Sequence, residues 1–183
     1  MRVLGISGSL RRDSYNTQLL RAAAELAPDT VELELYDGLA AIPPYNQDIQ
    51  DTAAPASVED LRERIAAADA VLIATPEYNG SVPGVLKNAL DWASRPFPDN
   101  ALRNKPVAVV GAVTGAYGGI WAQADLRKIL GLIGARVIEG DVAIGHAPEH
   151  FDDEGHLLSR EYREQLGELM RDLTTQVELG VAA

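Results

Sequence analysis

Residues 70–92 read AVLIATPEYNGSVPGVLKNALDW. The opening run, Ala70–Thr75, is apolar throughout. A strand without a polar face is covered on both sides, which is the position of a central strand in a parallel sheet. The next residues, PEYNGSVPG, hold two prolines, two glycines and an asparagine, and they form a rigid polar loop. A helix follows from about Val85 to Ala93. Strand, loop and helix together make one βα unit, and a chain of such units builds a parallel sheet with helices on both faces.

The same pattern continues in both directions. Arg2–Ser7 (RVLGIS) is a short buried strand that runs into Gly8-Ser9. Ser14 or Asp13 caps the next helix, which carries Leu19, Ala22, Ala23 and Leu26 and stops before Pro28. Val31–Tyr36 (VELELY) alternates apolar and acidic residues, so it is a strand with one wet face near a sheet edge. Asp37–Pro55 reads as loop. Ser57-x-x-Asp60 resembles a capping box ahead of the stripe Val58, Leu61, Ile65 and Ala68. Val107–Val113 is a second central strand, followed by the loop TGAYGG and a helix with Leu126, Ile129, Leu130 and Ile133. Arg136–Ile144 is a last, more polar strand. Ser159 caps a terminal helix with Tyr162, Leu166, Leu169, Leu173 and Val177 on one side. The expectation is five βα units in a single domain spanning residues 1–183.

Composition narrows the chemistry. The chain has no cysteine, which excludes disulfides, thiolate nucleophiles and Cys-based metal or redox sites. It has 27 acidic and 16 basic residues, a formal charge of −11. That charge argues against nucleic acid and anionic membrane surfaces as partners. No apolar run approaches the ~20 residues of a membrane span, so a cytoplasmic location is expected.

Ligands of open α/β sheets sit outside the carboxyl ends of the strands. Three loops there are unusual. In GSLRRDSYN (8–16), the hydroxyls of Ser9 and Ser14, the Asn16 amide, the helix start at Tyr15 and the forked cation of Arg11 suit a phosphate dianion. The same residues also fit a capped helix with a solvated Arg11–Arg12 pair. The loop is neither GxxxxGK[ST] nor GxGxxG. In the second loop, Tyr78 offers a flat ring and Asn79 both donors and acceptors. A turn with Asn79 and Gly80 at positive φ is the plainer account. In the third, Thr114-Gly115-Ala116-Tyr117-Gly118-Gly119, small residues would let a planar ligand lie against backbone. His146, His150 and His156 lie in GHAPEHFDDEGH, which we read as a mobile acidic loop and not as a metal site.

GSLRRDSYN, PEYNGSVPGVLKNALDW and GAYGGIWAQADLRKIL together resemble the NADPH-dependent FMN reductase family, flavodoxin-like proteins that include quinone, azo-dye and chromate reductases. The resemblance runs from Met1 to about the loop FDDEG. It implies an α/β, doubly wound, five-stranded parallel sheet of order 2-1-3-4-5, bound FMN, NADPH or NADH as electron donor, and a homodimer or homotetramer. Carried over by position, Ser9, Arg11, Ser14 and Asn16 look like the phosphate cradle, and Tyr15 beside them is also expected to bind the cofactor. Pro76, Glu77, Tyr78 and Asn79 lie along the ribityl chain and the isoalloxazine, and Thr114 and Gly115 lie at the other edge of the ring. The chain departs from the family at Val113, where serine is common, and at Trp121, where arginine is common.

The implied activity is hydride transfer from a nicotinamide to the flavin, then reduction of a quinone, azo compound, chromate or free flavin. The flavin carries that chemistry, so no side chain is assigned a catalytic role. Glu77 is expected to make an orienting hydrogen bond, and Trp92 and Trp121 to serve packing or an interface. Leu86, Leu90 and Trp92 are expected to add apolar surface that a second subunit covers. A flavodoxin-type electron carrier, or a protein supplying reduced FMN to a monooxygenase, are the alternatives.

Overall fold

The computed structural model describes residues 1–181. Its central strands are β1 (Arg2–Ser7), β3 (Ala70–Ala74) and β4 (Pro106–Ala112), with β2 (Glu32–Tyr36) at one edge. Two short strands, β5 (Arg136–Val137) and β6 (Ala143–Ile144), share the other edge. All pairings are parallel, in the order β2-β1-β3-β4-β5, with β6 also on β4. This is the flavodoxin-like order that the family resemblance implies.

Helices cover both faces. Along β3, Val71 and Ile73 point into one core with Leu61, Leu86, Trp92 and Leu126, while Ala70, Leu72 and Ala74 point into the other with Leu19, Leu20, Leu166 and Leu173. The first face therefore belongs to α3 (Ala56–Ala67), α4 (Gly84–Ala93) and α5 (Ile120–Ile133), the second to α1 (Tyr15–Leu26) and α6 (Arg160–Val181). Every residue of β3 and β4 is buried, which is why neither strand could keep a polar face. In β2 the two glutamates are exposed, as an edge strand allows.

Four local expectations need correction. The single strand Arg136–Ile144 is broken: residues 139–141 leave the sheet, while Ile138 and Val142 still bond to β4 and β6 resumes the pairing. The detour leaves the Val109 carbonyl without a strand partner, and Arg127 Nη2 of α5 donates to it at 3.2 Å and also to the Gly140 carbonyl. The segment Asp37–Pro55 is not all loop: it holds a 3₁₀ turn, Gly38–Ala41, and the two-turn helix α2 (Gln47–Thr52), capped by the Asn46 side chain. Ser57 is not a cap, because α3 already starts at Ala56 behind Pro55, whose carbonyl takes the first helical N–H groups. Finally, Leu86, Leu90 and Trp92 are at most 3% exposed within the chain itself and offer a partner nothing. Trp92 instead donates its indole N–H to the Pro43 carbonyl at 2.8 Å.

Candidate functional site

The loops after β1, β3 and β4 meet in a cleft of about 120 Å³ at the carboxyl ends of those strands. Ser9, Arg11, Ser14, Tyr15, Asn16, Pro76, Glu77, Tyr78 and Thr114 line it, together with Ala112 and Val113. Larger depressions lie elsewhere: one of about 320 Å³ beside β2 and one of about 480 Å³ between α1 and α6. They sit away from the strand ends where such sheets bind ligands. Asn79 and Gly115 are close in sequence to the cleft but do not line it. Ala112 and Val113 enter it because β4 ends level with β1 and β3, which only the sheet register decides.

The first loop is built from its own hydroxyls. Ser14 Oγ accepts the Asn16 N–H at 3.2 Å and caps α1, and Ser9 Oγ accepts the Arg11 N–H at 3.3 Å. Neither hydroxyl donates a hydrogen bond among the described residues, and the first-turn N–H groups of α1 have no intrahelical acceptor. The Arg11 guanidinium is exposed and rests on the Asp13 carbonyl at 3.1 Å. Among the described residues, neither Arg11 nor Arg12 is paired with a carboxylate. Tyr15 lines the cleft and packs its ring on Phe151, centroids 5.5 Å apart. Gly8 serves close approach and not a left-handed turn: a Cβ there would come within 2.9 Å of Leu86 and 3.2 Å of Pro76.

Asn16 has a different place from its neighbours. It is 2% exposed, its amide donates to the Ala112 carbonyl at 2.8 Å, and its carbonyl oxygen accepts the Ala112 N–H at 3.0 Å. It braces the first loop against the end of β4.

The second loop is a tight hairpin. Tyr78 and Ser81 exchange backbone hydrogen bonds at 3.1 and 3.2 Å, with Asn79 at φ 55° and Gly80 at φ 74°. Two positive-φ residues in sequence define a type I′ turn, so this local reading of the sequence holds. Glu77 reaches across to α5, where one carboxylate oxygen accepts the N–H groups of Trp121 and Ala122, each at 3.0 Å.

The third loop owes its glycines to packing. Gly118 and Gly119 are left-handed, at φ 61° and 73°, and a Cβ on Gly118 would strike the Ala143 backbone. Gly115 has open space where a side chain would be. Tyr117 and Trp121 stand 66% and 51% exposed with ring centroids 5.2 Å apart.

The histidines do not converge. His150 packs edge-on against Tyr162, whereas His156 pairs its Nδ1 with Asp152 at 3.0 Å. Asp152 also accepts the N–H groups of Glu154 and His156, so the acidic loop is a hydrogen-bonded turn. Those bonds hold the Asp152 carboxyl below its ordinary range, and the Asp152 hydrogen bond and charge raise the His156 imidazole.

A parallel sheet of this order, with the Ser9 and Ser14 hydroxyls and an arginine free of carboxylate partners at a cleft on the strands' carboxyl ends, has the form of a flavodoxin-like mononucleotide-binding protein. Comparison with known proteins narrows the class. Residues 1–149 match the model of the NADPH-dependent FMN reductase family, and the chain belongs to that family. It is 45% identical over 174 residues to an NAD(P)H-dependent FMN reductase of Pseudomonas aeruginosa, covering 94% of this chain and 93% of the relative. It is 44% identical over 139 residues to a quinone reductase of Escherichia coli, covering 75% and 73%. The solved flavoenzyme FerB, an NAD(P)H:acceptor oxidoreductase from Paracoccus denitrificans, superimposes with a TM-score of 0.87 at 35% identity over 97% of both chains.

Proposed function

We propose that the protein is an FMN-dependent NAD(P)H oxidoreductase that reduces quinones. The observation that carries this reading is the cleft itself, where Ser9, Ser14 and Arg11, which has no carboxylate partner among the described residues, line the same space as Pro76, Glu77, Tyr78 and Thr114. The residues fit FMN. Ser9, Arg11, Ser14 and the start of α1 would hold the phosphate, as a charge-assisted set at a helix N-terminus does. Pro76, Glu77, Tyr78 and Asn79 would border the ribityl chain and ring from one side, Thr114 and Gly115 from the other. Bound FMN supplies the redox chemistry, in which NAD(P)H, a proton and a quinone become NAD(P)⁺ and a hydroquinone.

The cleft is well below the ~300–1,000 Å³ of pockets that engulf a drug-sized ligand. The side chains therefore anchor one end of the cofactor and leave substrate access to the outer face. No side chain in the cleft is needed as acid or base, and the Glu77 carboxylate oxygen that is bonded is occupied by α5. Names of relatives favour a quinone as acceptor.

A homodimer or homotetramer is part of the proposal. Its support is the exposed apolar side chains Val85, Tyr117, Ile120 and Trp121, of which Tyr117 and Trp121 are in contact, not the interior of α4. The NAD(P)H donor is a cytoplasmic metabolite, which supports a cytoplasmic location. Among the described residues no helix is long and apolar enough to cross a membrane.

Anaerobic addition of NADPH, and separately NADH, to the FMN-loaded protein tests the reading. Rapid bleaching of bound flavin, reversed by a quinone, is expected. No bleaching would mark an electron carrier, and bleaching with flavin release would mark a supplier of reduced FMN.

A further inference from the structure

Helix α5 begins without a cap of its own. Its N-cap is Gly119, left-handed at φ 73° and lacking a side chain, and its first turn has no acidic residue. The open N–H groups of a helix start need an acceptor, and the aligned peptide dipoles favour a negative one. Here the acceptor comes from another loop, 44 residues away: Glu77 Oε2 takes both Trp121 N–H and Ala122 N–H at 3.0 Å. Glycine suits this N-cap because a side chain is strained at this left-handed φ and its Cβ would lie a tight 3.2 Å from Val113 Cγ1. A second strut runs parallel, from the Ser81 hydroxyl to Asp125 one turn further along α5 at 2.8 Å.

Glu77 is thus bonded on its far side to a helix, while its own loop lines the cleft. We propose that Glu77 is a positioning residue: it fixes the loop 76–80 and the N-terminus of α5 in one register, and so sets the width of the ring side of the flavin cleft. This rests on the flavin reading given above. It assigns Glu77 a role through α5 and not as a donor, acceptor or proton carrier toward the substrate. The strut acts where the ring lies, so its loss should affect FMN and riboflavin alike.

The test uses the full chain with Glu77→Ala, Glu77→Gln and Glu77→Asp. Amide hydrogen exchange at Trp121 and Ala122 is followed in the FMN-free protein, and FMN and riboflavin affinities are measured by fluorescence quenching. In Glu77→Ala both amides should exchange at least about tenfold faster, and both flavins should bind about 3- to 30-fold more weakly, the range set by loss of a helix cap. Gln keeps an acceptor oxygen at the same reach and should restore exchange and affinity to within about threefold. Asp is one methylene short and should resemble Ala, which keeps the test open if Ala does not fold. The pH profile of kcat/KM should have the same shape in the parent and the Gln variant.

Unchanged exchange at Trp121 and Ala122 in Ala or Asp would overturn the proposal. So would a Gln variant as impaired as Ala with a lost limb in its pH profile, which would make Glu77 an acid or base. A parent protein that binds neither flavin would instead refute the flavin reading, while the exchange measurement still reports on the strut.

Discussion

Replacing Asn16 by alanine should cost stability before it costs cofactor. Its side chain makes a two-way bridge to Ala112, at 2.8 and 3.0 Å, in a site only 2% exposed. Alanine would remove both bonds and leave the N–H and C=O of Ala112 buried without partners. A buried polar group left unsatisfied costs about 1–3 kcal/mol, so the two together cost about 2–6 kcal/mol. With a urea m-value near the upper end of ~1–3 kcal/mol/M, the unfolding midpoint of the FMN-free protein should fall by about 1–2 M. Asn16→Asp sharpens the test. A carboxylate still accepts from the Ala112 N–H but faces the Ala112 carbonyl with no hydrogen to donate. Its folded-state pKa should be raised, so the deficit should be full at neutral pH and shrink as pH falls through that value, where the protonated acid can donate again. An unchanged urea midpoint for Asn16→Ala, with FMN affinity lowered more than about tenfold, would refute the brace and make Asn16 a direct ligand of the phosphate.

Three other expectations follow from the site and its surroundings. Arg11→Ala should weaken FMN binding about 10- to 150-fold, from a charge-assisted bond of about 1.5–3 kcal/mol, and leave riboflavin nearly untouched; Arg12→Ala is the control, and equal small losses in both variants would mean a merely solvated pair. Gly118→Ala should distort the third loop, since it strains a left-handed residue by about 1–2 kcal/mol and drives a methyl into the Ala143 backbone; a parent-like melting curve and FMN affinity would contradict this. Asp152 is held below and His156 above its ordinary range, so their pair should tighten the 152–156 turn between about pH 4 and 6.5. The Asp152 contribution fades as pH falls through its folded pKa, and the His156 contribution fades as pH rises through its own. An NMR titration in which Asp152→Asn leaves the His156 pKa unchanged would show that no such pairing exists.

The sequence by itself determined the layout of the sheet and the loops at its carboxyl ends. Strands β3 and β4 had to be central because they have no polar face, and β2 had to be an edge because every second residue is acidic. The Asn79–Gly80 turn and the Ser14 cap were also legible, since both are settled by residues within a few positions of each other. The tertiary structure alone decided what those residues are tied to. Asn16 reads as part of the phosphate cradle and is a buried brace, because β4 brings Ala112 to it from 96 residues away. Glu77 reads as part of a ligand-facing motif and is a helix cap, because Gly119 leaves α5 with nothing local to accept its N–H groups. Leu86, Leu90 and Trp92 read as surplus apolar surface and are interior, because helical periodicity cannot say how much of a helix the sheet and its neighbours cover. The break between β5 and β6 was equally hidden, since it is spanned by Arg127 from another element, which donates to the Val109 and Gly140 carbonyls. Local chemistry is fixed by neighbours in the chain; partners across the sheet are fixed by register, which no short stretch of sequence contains.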